Sequence, residues 1–306
     1  MFKSINKAIF DLEKDEVVIG NVLYSTGQSL FTMNMEVGTA THIIGREYNS
    51  PVPLYEEGTA DVAMFGHISS FIRHSTNSIL VVDETNNMIR KVSRLPTMSS
   101  HVIGHQDTKL GNMRGGNFDE SRVYSPRDII AIGADQYAVS QPRTPYLCVI
   151  FFDSGRVIHV PIRHRRVLGL TYDSNNDVIY ASTAAQLLAI NPENYAVTEL
   201  STVAARNGLM SSYKDGPLRD ATFNFGSSVV VLNPKTLLLT DLINHRLRAI
   251  DLEGDVSSIC TGSASVPRAD GSITDCTIKT PISALVYNST TVLIGTRGGI
   301  LALTGN

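Results

Sequence analysis

The sequence predicts an all-β fold: a six-bladed β-propeller of four-stranded antiparallel blades. Three observations carry this. Residues 57–104 align without a gap over residues 215–262, a shift of 158, and 12 of the 48 positions are identical. The opening of that unit is a glycine, four residues, a small residue, one residue and a bulky apolar one. It recurs as Gly116, Ser121 and Val123 and again as Gly271, Cys276 and Ile278. Within the units, short aliphatic runs alternate with turn residues, and no run is long enough for a helix. Self-similarity at such a period marks stacked supersecondary units that bury their faces on one another.

The 306 residues are read as one domain with blades at about 1–45, 46–104, 105–164, 165–202, 203–262 and 263–306. The first and fourth units are placed by spacing; the first ends in "HIIG" where the second ends in "HVIG". The fifth shows the strand pattern most plainly. "SSVVVL", "LLLTD", "RLRAID" and "VSSICTG" are separated by "NPKT", "LINH" and "LEGD", whose Asn-Pro and Glu-Gly-Asp mark tight turns. The last unit runs out before a fourth strand, which predicts either a three-stranded blade with an open edge or a chain that is part of a longer one. The second is favoured.

The Gly-x4-Ala-x-Phe start, the "VVDETNNMIRK" middle and the closing Val-x-x-Gly resemble NHL repeats, which form six-bladed propellers. The resemblance is specific in units two and five and partial in three and six. Some propellers of this kind bind RNA on a basic face. Other six-bladed propellers are metal-dependent hydrolases or lyases with a site at the central channel. Both are kept as alternatives.

Asp83, Asn86 and Arg90 recur as Asp241, Asn244 and Arg248. Asp and Asn fall at the turn between second and third strands, where short side chains cap backbone N–H groups and tolerate left-handed dihedrals. The arginine, on the third strand, is expected to reach a carboxylate or carbonyls of the adjoining blade as a brace. Recurrence at equivalent places favours scaffolding over acid–base chemistry. Unit three has Gln141 and Cys148 in the Asp and Arg slots, and unit six has Thr296 and Leu303.

The resemblance implies that an enzyme of this fold would build its site at the channel, from first-strand residues of several blades; such a site is the alternative here, not the expectation. Of those only His67 and Asp128 are candidates, too thin a supply for a calcium cage or a catalytic zinc. No catalytic residue, metal ligand set or cofactor is assigned. The binding surface is expected on the rim made by second-to-third-strand turns and blade-to-blade loops, with Glu84, Arg114, Arg143, Lys214, Arg219, Arg268 and Arg297 as its markers. Glu57 and Asp215 belong to the same face. A net charge of −3 leaves no basic footprint, so nucleic acid is not the expected partner. No apolar run reaches the ~18 residues of a membrane-spanning helix. The reading is a recognition or scaffold propeller with a protein partner. Cys260 and Cys276 fall close together, as a disulfide or as two buried thiols.

Overall fold

A computed structural model describes residues 8–10, 21–25, 27–34, 37–46, 54–94, 96–162, 166–201, 213–261, 276–296 and 299–304. The chain divides into two compact units, Ile5–His164 and Arg165–Asn306.

The first unit holds three antiparallel sheets in sequence order. Ala8–Phe10, Asn21–Ser25, Leu30–Asn34 and Thr39–Ile44 make the first. Ile68–Ser75, Ser78–Asp83, Met88–Arg94 and Thr97–Gly104 make the second, and the short Gly58–Thr59 pairs with the outside of its fourth strand. Ile129–Gly133, Gln136–Ser140, Tyr146–Phe151 and Arg156–Pro161 make the third, with Gly116–Asn117 on its outer strand. The helical content among the described residues is one 3₁₀ turn, Leu110–Asn112.

The second unit repeats the scheme. Val167–Asp173, Val178–Thr183, Leu187–Ile190 and Val197–Glu199 form one sheet. Gly226–Asn233, Thr236–Asp241, Arg246–Asp251 and Asp255–Thr261 form the next, extended by Gly216–Pro217 and, in parallel, by Cys276–Thr277. Pro281–Asn288, Thr291–Thr296 and Gly299–Thr304 form the last. Five sheets therefore carry the four strands of a full blade. The expected sixth is not a full blade among the described residues, where it has three.

The second strands explain why "ILVV" and "LLL" are unbroken apolar runs rather than alternating ones. Leu80 and Val82 pack with Ile129, Val139 and Ile150 of the third sheet, while Val81 packs with Leu30 and Ile44 of the first. Likewise Leu237 and Leu239 join Tyr180 and Leu187 on one side, and Leu238 joins Val292 and Ile294 on the other. A strand buried on both faces has no solvent side to be polar on. Ala63 and Phe65 of the repeat's opening sit in the seam of Val81 with the first sheet, and Ala221 and Phe223 in its counterpart, with Leu237 and Leu239.

Candidate functional site

The repeated triplet forms the same buried network in both complete copies. Asp83 Oδ1 accepts from the Gly66 and His67 N–H groups at 2.9 and 3.2 Å, which fixes the approach to the first strand. Its Oδ2 accepts from Asn86 Nδ2 at 2.9 Å and from Arg90 Nη1 at 3.2 Å. Arg90 further donates to the carbonyls of Met64 and Glu56 and pairs with the Glu57 carboxylate at 3.3 Å. In the second unit Asp241 accepts from the Asn224 N–H, from Asn244 at 2.9 Å and from Arg248 at 2.8 Å. Arg248 donates to the carbonyls of Thr222 and Lys214 and pairs with Asp215 at 2.7 Å. Burial pushes the Asp241 carboxyl up, against the opposing pull of these donors.

These contacts correct two expectations. The arginine binds the leading segment of its own repeat, not the adjoining blade: residues 56–64 and 214–222 are held down on the sheet they precede. The left-handed residue is not Asn86 or Asn244 but the one after it, Asn87 (φ 55°) and His245 (φ 53°). Glu57 and Asp215, expected on the rim, are the outer carboxylates of the network. Sequence reading also missed an aromatic lid: Arg90 lies 4.0 Å from the Phe65 ring centroid and 4.9 Å from that of Tyr55. Arg248 meets Phe223 and Tyr213 in the same way. Tyr55 donates to Glu57 at 2.8 Å, and burial followed by that bond raises its hydroxyl to about 12.

The third sheet solves the same problem with different side chains. Gln141 Oε1 accepts from the Tyr124 N–H at 2.8 Å, as Asp83 does from Gly66. Its Nε2 lies 3.1 Å from His159 Nδ1, and His159 Nε2 reaches the Arg122 carbonyl at 3.1 Å. Arg122 corresponds to Met64, so the imidazole does the work of the absent guanidinium. It arrives from the fourth strand, where His159 pairs with Cys148. Burial holds its pKa below the usual value.

The channel candidates do not form one site in the described residues. His67 Nδ1 faces Glu84 at 3.5 Å. Asp128 accepts from Ser70 Oγ at 2.7 Å and from the Ile129 N–H at 3.0 Å, fastening the second sheet to the third. Among the described residues no group of three or more His, Cys, Asp or Glu is placed to hold a metal ion. Of the rim markers, Glu84 is thus engaged by His67. Arg143 stands exposed in the turn that follows Gln136–Ser140, and Lys214 and Arg219 are exposed on the second unit's leading segment. Arg268 and Arg297 lie outside the described residues. Arg114 is exposed on the wall of a cleft of about 630 Å³ beside the outer strand of the third sheet. Cys260 and Cys276 are joined by a disulfide with Cα atoms 5.0 Å apart, and Cys148 is a buried free thiol. No helix among the described residues is long and apolar enough to cross a membrane.

No family profile matches the sequence, and no curated protein matches it. Solved structures match over nearly its whole length. An auxiliary nutrient binding protein from Bacteroides thetaiotaomicron is similar at 12% identity and a TM-score of 0.68, over 98% of this chain and 69% of that one. Virginiamycin B lyase from Staphylococcus aureus is similar at 11% identity and a TM-score of 0.56, over 98% and 94%. The extracellular domain assigned to a one-component system of B. thetaiotaomicron is similar at 11% identity and 0.58, over 98% and 38%. These are β-propeller proteins, and at such identities the likeness establishes fold class alone: the chain has an all-β propeller fold.

Proposed function

We propose that the chain is an NHL-like propeller, six-bladed when the three-stranded sheet is counted, that acts as a recognition module with no chemistry of its own. The observation that carries this reading is the division of its polar side chains. The repeated Asp–Arg pairs are fully withdrawn from water and spent on holding leading segments, while Arg114, Arg143, Lys214 and Arg219 stand exposed on turns and leading segments. Such loops on a rigid scaffold are where binding residues concentrate. The nutrient-binding and extracellular sensor proteins among the structural neighbours are in keeping with this use of the fold. The partner is a protein or another ligand met by the mixed-sign rim that Glu84, Arg114, Arg143, Lys214 and Arg219 mark.

Elemental analysis of the purified chain, with thermal melting in the presence and absence of EDTA, tests this against a metal enzyme. The expected result is no stoichiometric calcium or zinc and the same melting temperature in both. Bound metal whose removal lowers the melt would overturn the reading and direct mutagenesis to His67 and Asp128.

A further inference from the structure

The cleft beside the third sheet opens where two other sheets are filled by their own side chains. In the second sheet that place holds Tyr55 and Glu57, bonded to each other, to Arg90 and to Ser99 Oγ at 2.9 Å. In the fifth it holds Tyr213 and Asp215, the latter bonded to Arg248 and to Ser258. Three paired positions show that the leading segments are in matching register: Glu56 with Met64, Arg114 with Arg122, and Lys214 with Thr222. In that register Met113 replaces the tyrosine, Gly115 the carboxylate and Cys148 the arginine. Gly115 runs so close to the outer strand that a Cβ would lie 2.5 Å from the Val157 carbonyl oxygen, so no side chain fits there without moving backbone. The ring and the acid that occupy this place elsewhere are both missing, and a cleft of about 630 Å³ remains.

What lines it is suited to take them from outside. Arg114 and Arg156 are both exposed on the cleft. Arg114 Nε donates to the Glu120 carbonyl at 2.7 Å, which anchors the side chain through Nε rather than through its terminal nitrogens. Arg156 packs over the Phe151 ring at 5.9 Å. Neither guanidinium is paired with a carboxylate among the described residues. Glu120 stands beside the cleft at Gly116, its Oε2 3.3 Å from where a Cβ on that glycine would lie. Tyr146, 36% exposed, and Leu110, 55% exposed, give the cleft apolar walls.

We propose that this cleft binds a carboxylate carried on an aromatic or apolar body, with Arg114 and Arg156 as its charge partners and Tyr146 as the surface for the body. The inference rests on the binding-module reading and assigns it one ligand chemistry. Two sources share that chemistry: a free small acid, or an acidic side chain next to an aromatic one in a peptide.

Titrations of the intact chain, followed by calorimetry, separate the sources. The probes are 3-phenylpropanoate with its neutral amide, and a capped Phe-Glu-Leu tripeptide with its Phe-Gln-Leu counterpart. At least one acid is expected to bind at least about tenfold more tightly than its amide, the scale of one charge-assisted pair. Arg114→Gln and Arg156→Gln should each weaken it by about tenfold at unchanged melting temperature, and Lys235→Gln on the fifth sheet should not. Binding of the free acid alone identifies a small-molecule site; binding of the peptide alone identifies a peptide site. Equal binding of acid and amide, no binding of either acid at millimolar concentration, or undiminished binding by the double arginine variant would each overturn the proposal. The metal and melting result stands apart from all of these, so the two readings fail separately.

Discussion

Arg90 and Arg248 are the largest side chains fully withdrawn from water among the described residues, and a guanidinium in that position is tolerable because its terminal nitrogens meet carbonyl and carboxylate oxygens, although the Nε of each makes no hydrogen bond. Removing one partner of such a pair strands the other. Arg90→Met should therefore destabilise the fold by about 3–5 kcal/mol, measured by urea unfolding, since it leaves Asp83 uncompensated. Adding Asp83→Asn, which removes the charge but keeps an oxygen for the Gly66 and His67 N–H groups, should recover part of that loss, and a double variant no better than the single one would count against the pair as the cause. His159 sets a pH dependence at the equivalent place in the third sheet. Its folded pKa is lowered by burial, so between the folded and unfolded values the unfolded chain takes up a proton that the folded chain refuses. Stability is thus expected to fall as pH drops below about 6.5, and to level off below the folded value. His74, lowered chiefly by burial as well, acts with the same sign. Unfolding measured across pH 5–8 should show a shallower slope for His159→Gln; an unchanged slope would remove the imidazole from the account.

The elements are closed off by devices of their own. The shared "HIIG" and "HVIG" endings are locks: His42 Nε2 reaches the Gly45 carbonyl at 2.7 Å and His101 Nε2 the Gly104 carbonyl at 2.9 Å. Both glycines have φ near +100° and press on the turn of their own sheet, Gly104 against the Asn87 carbonyl, so a side chain there is excluded by conformation and by space. In the fifth sheet the outer strand ends instead at a covalent link, with Cys260 paired to Cys276 in a short parallel ladder. Removing it by Cys260→Ala with Cys276→Ala frees a loop of about 15 residues and should cost about 3 kcal/mol in chain entropy, read as a lower denaturation midpoint. A midpoint equal to that of the wild type would show that the flanking ladder already holds the strand.

Across the molecule, protection should follow strand partnership. Arg246–Asp251 is paired on both sides, whereas Gly299–Thr304 pairs with a single strand among the described residues. Hydrogen exchange is expected to be slower in the first than in the second, and the reverse order would contradict the sheet assignment. The architecture was legible because its cause is periodic: each repeat must bury two faces, so the same residue types return at the same spacing. The network around Arg90 was half legible. Its Asp, Asn and Arg lie in one hairpin and repeat together, but Tyr55 and Tyr213 obey the same shift of 158 and stand two residues before the repeat was taken to begin. His159 could not be read from its slot at all, because the side chain that replaces the arginine comes from the neighbouring strand. The cleft was invisible for a related reason: it is made by what Met113, Gly115 and Cys148 lack, and absence has no motif.

The link between Cys260 and Cys276 also changes what a cut would do. A protease that hydrolyses one peptide bond between these two residues yields two fragments in sequence but one molecule, because the sulfur bridge spans the break. On a gel the nicked protein should migrate as a single band until a reductant is added, then split into pieces of about 260–275 and 30–45 residues. The piece bearing Pro281–Thr304 would thus outlast its own peptide bond, staying tethered to the fifth sheet for as long as its surroundings remain oxidising.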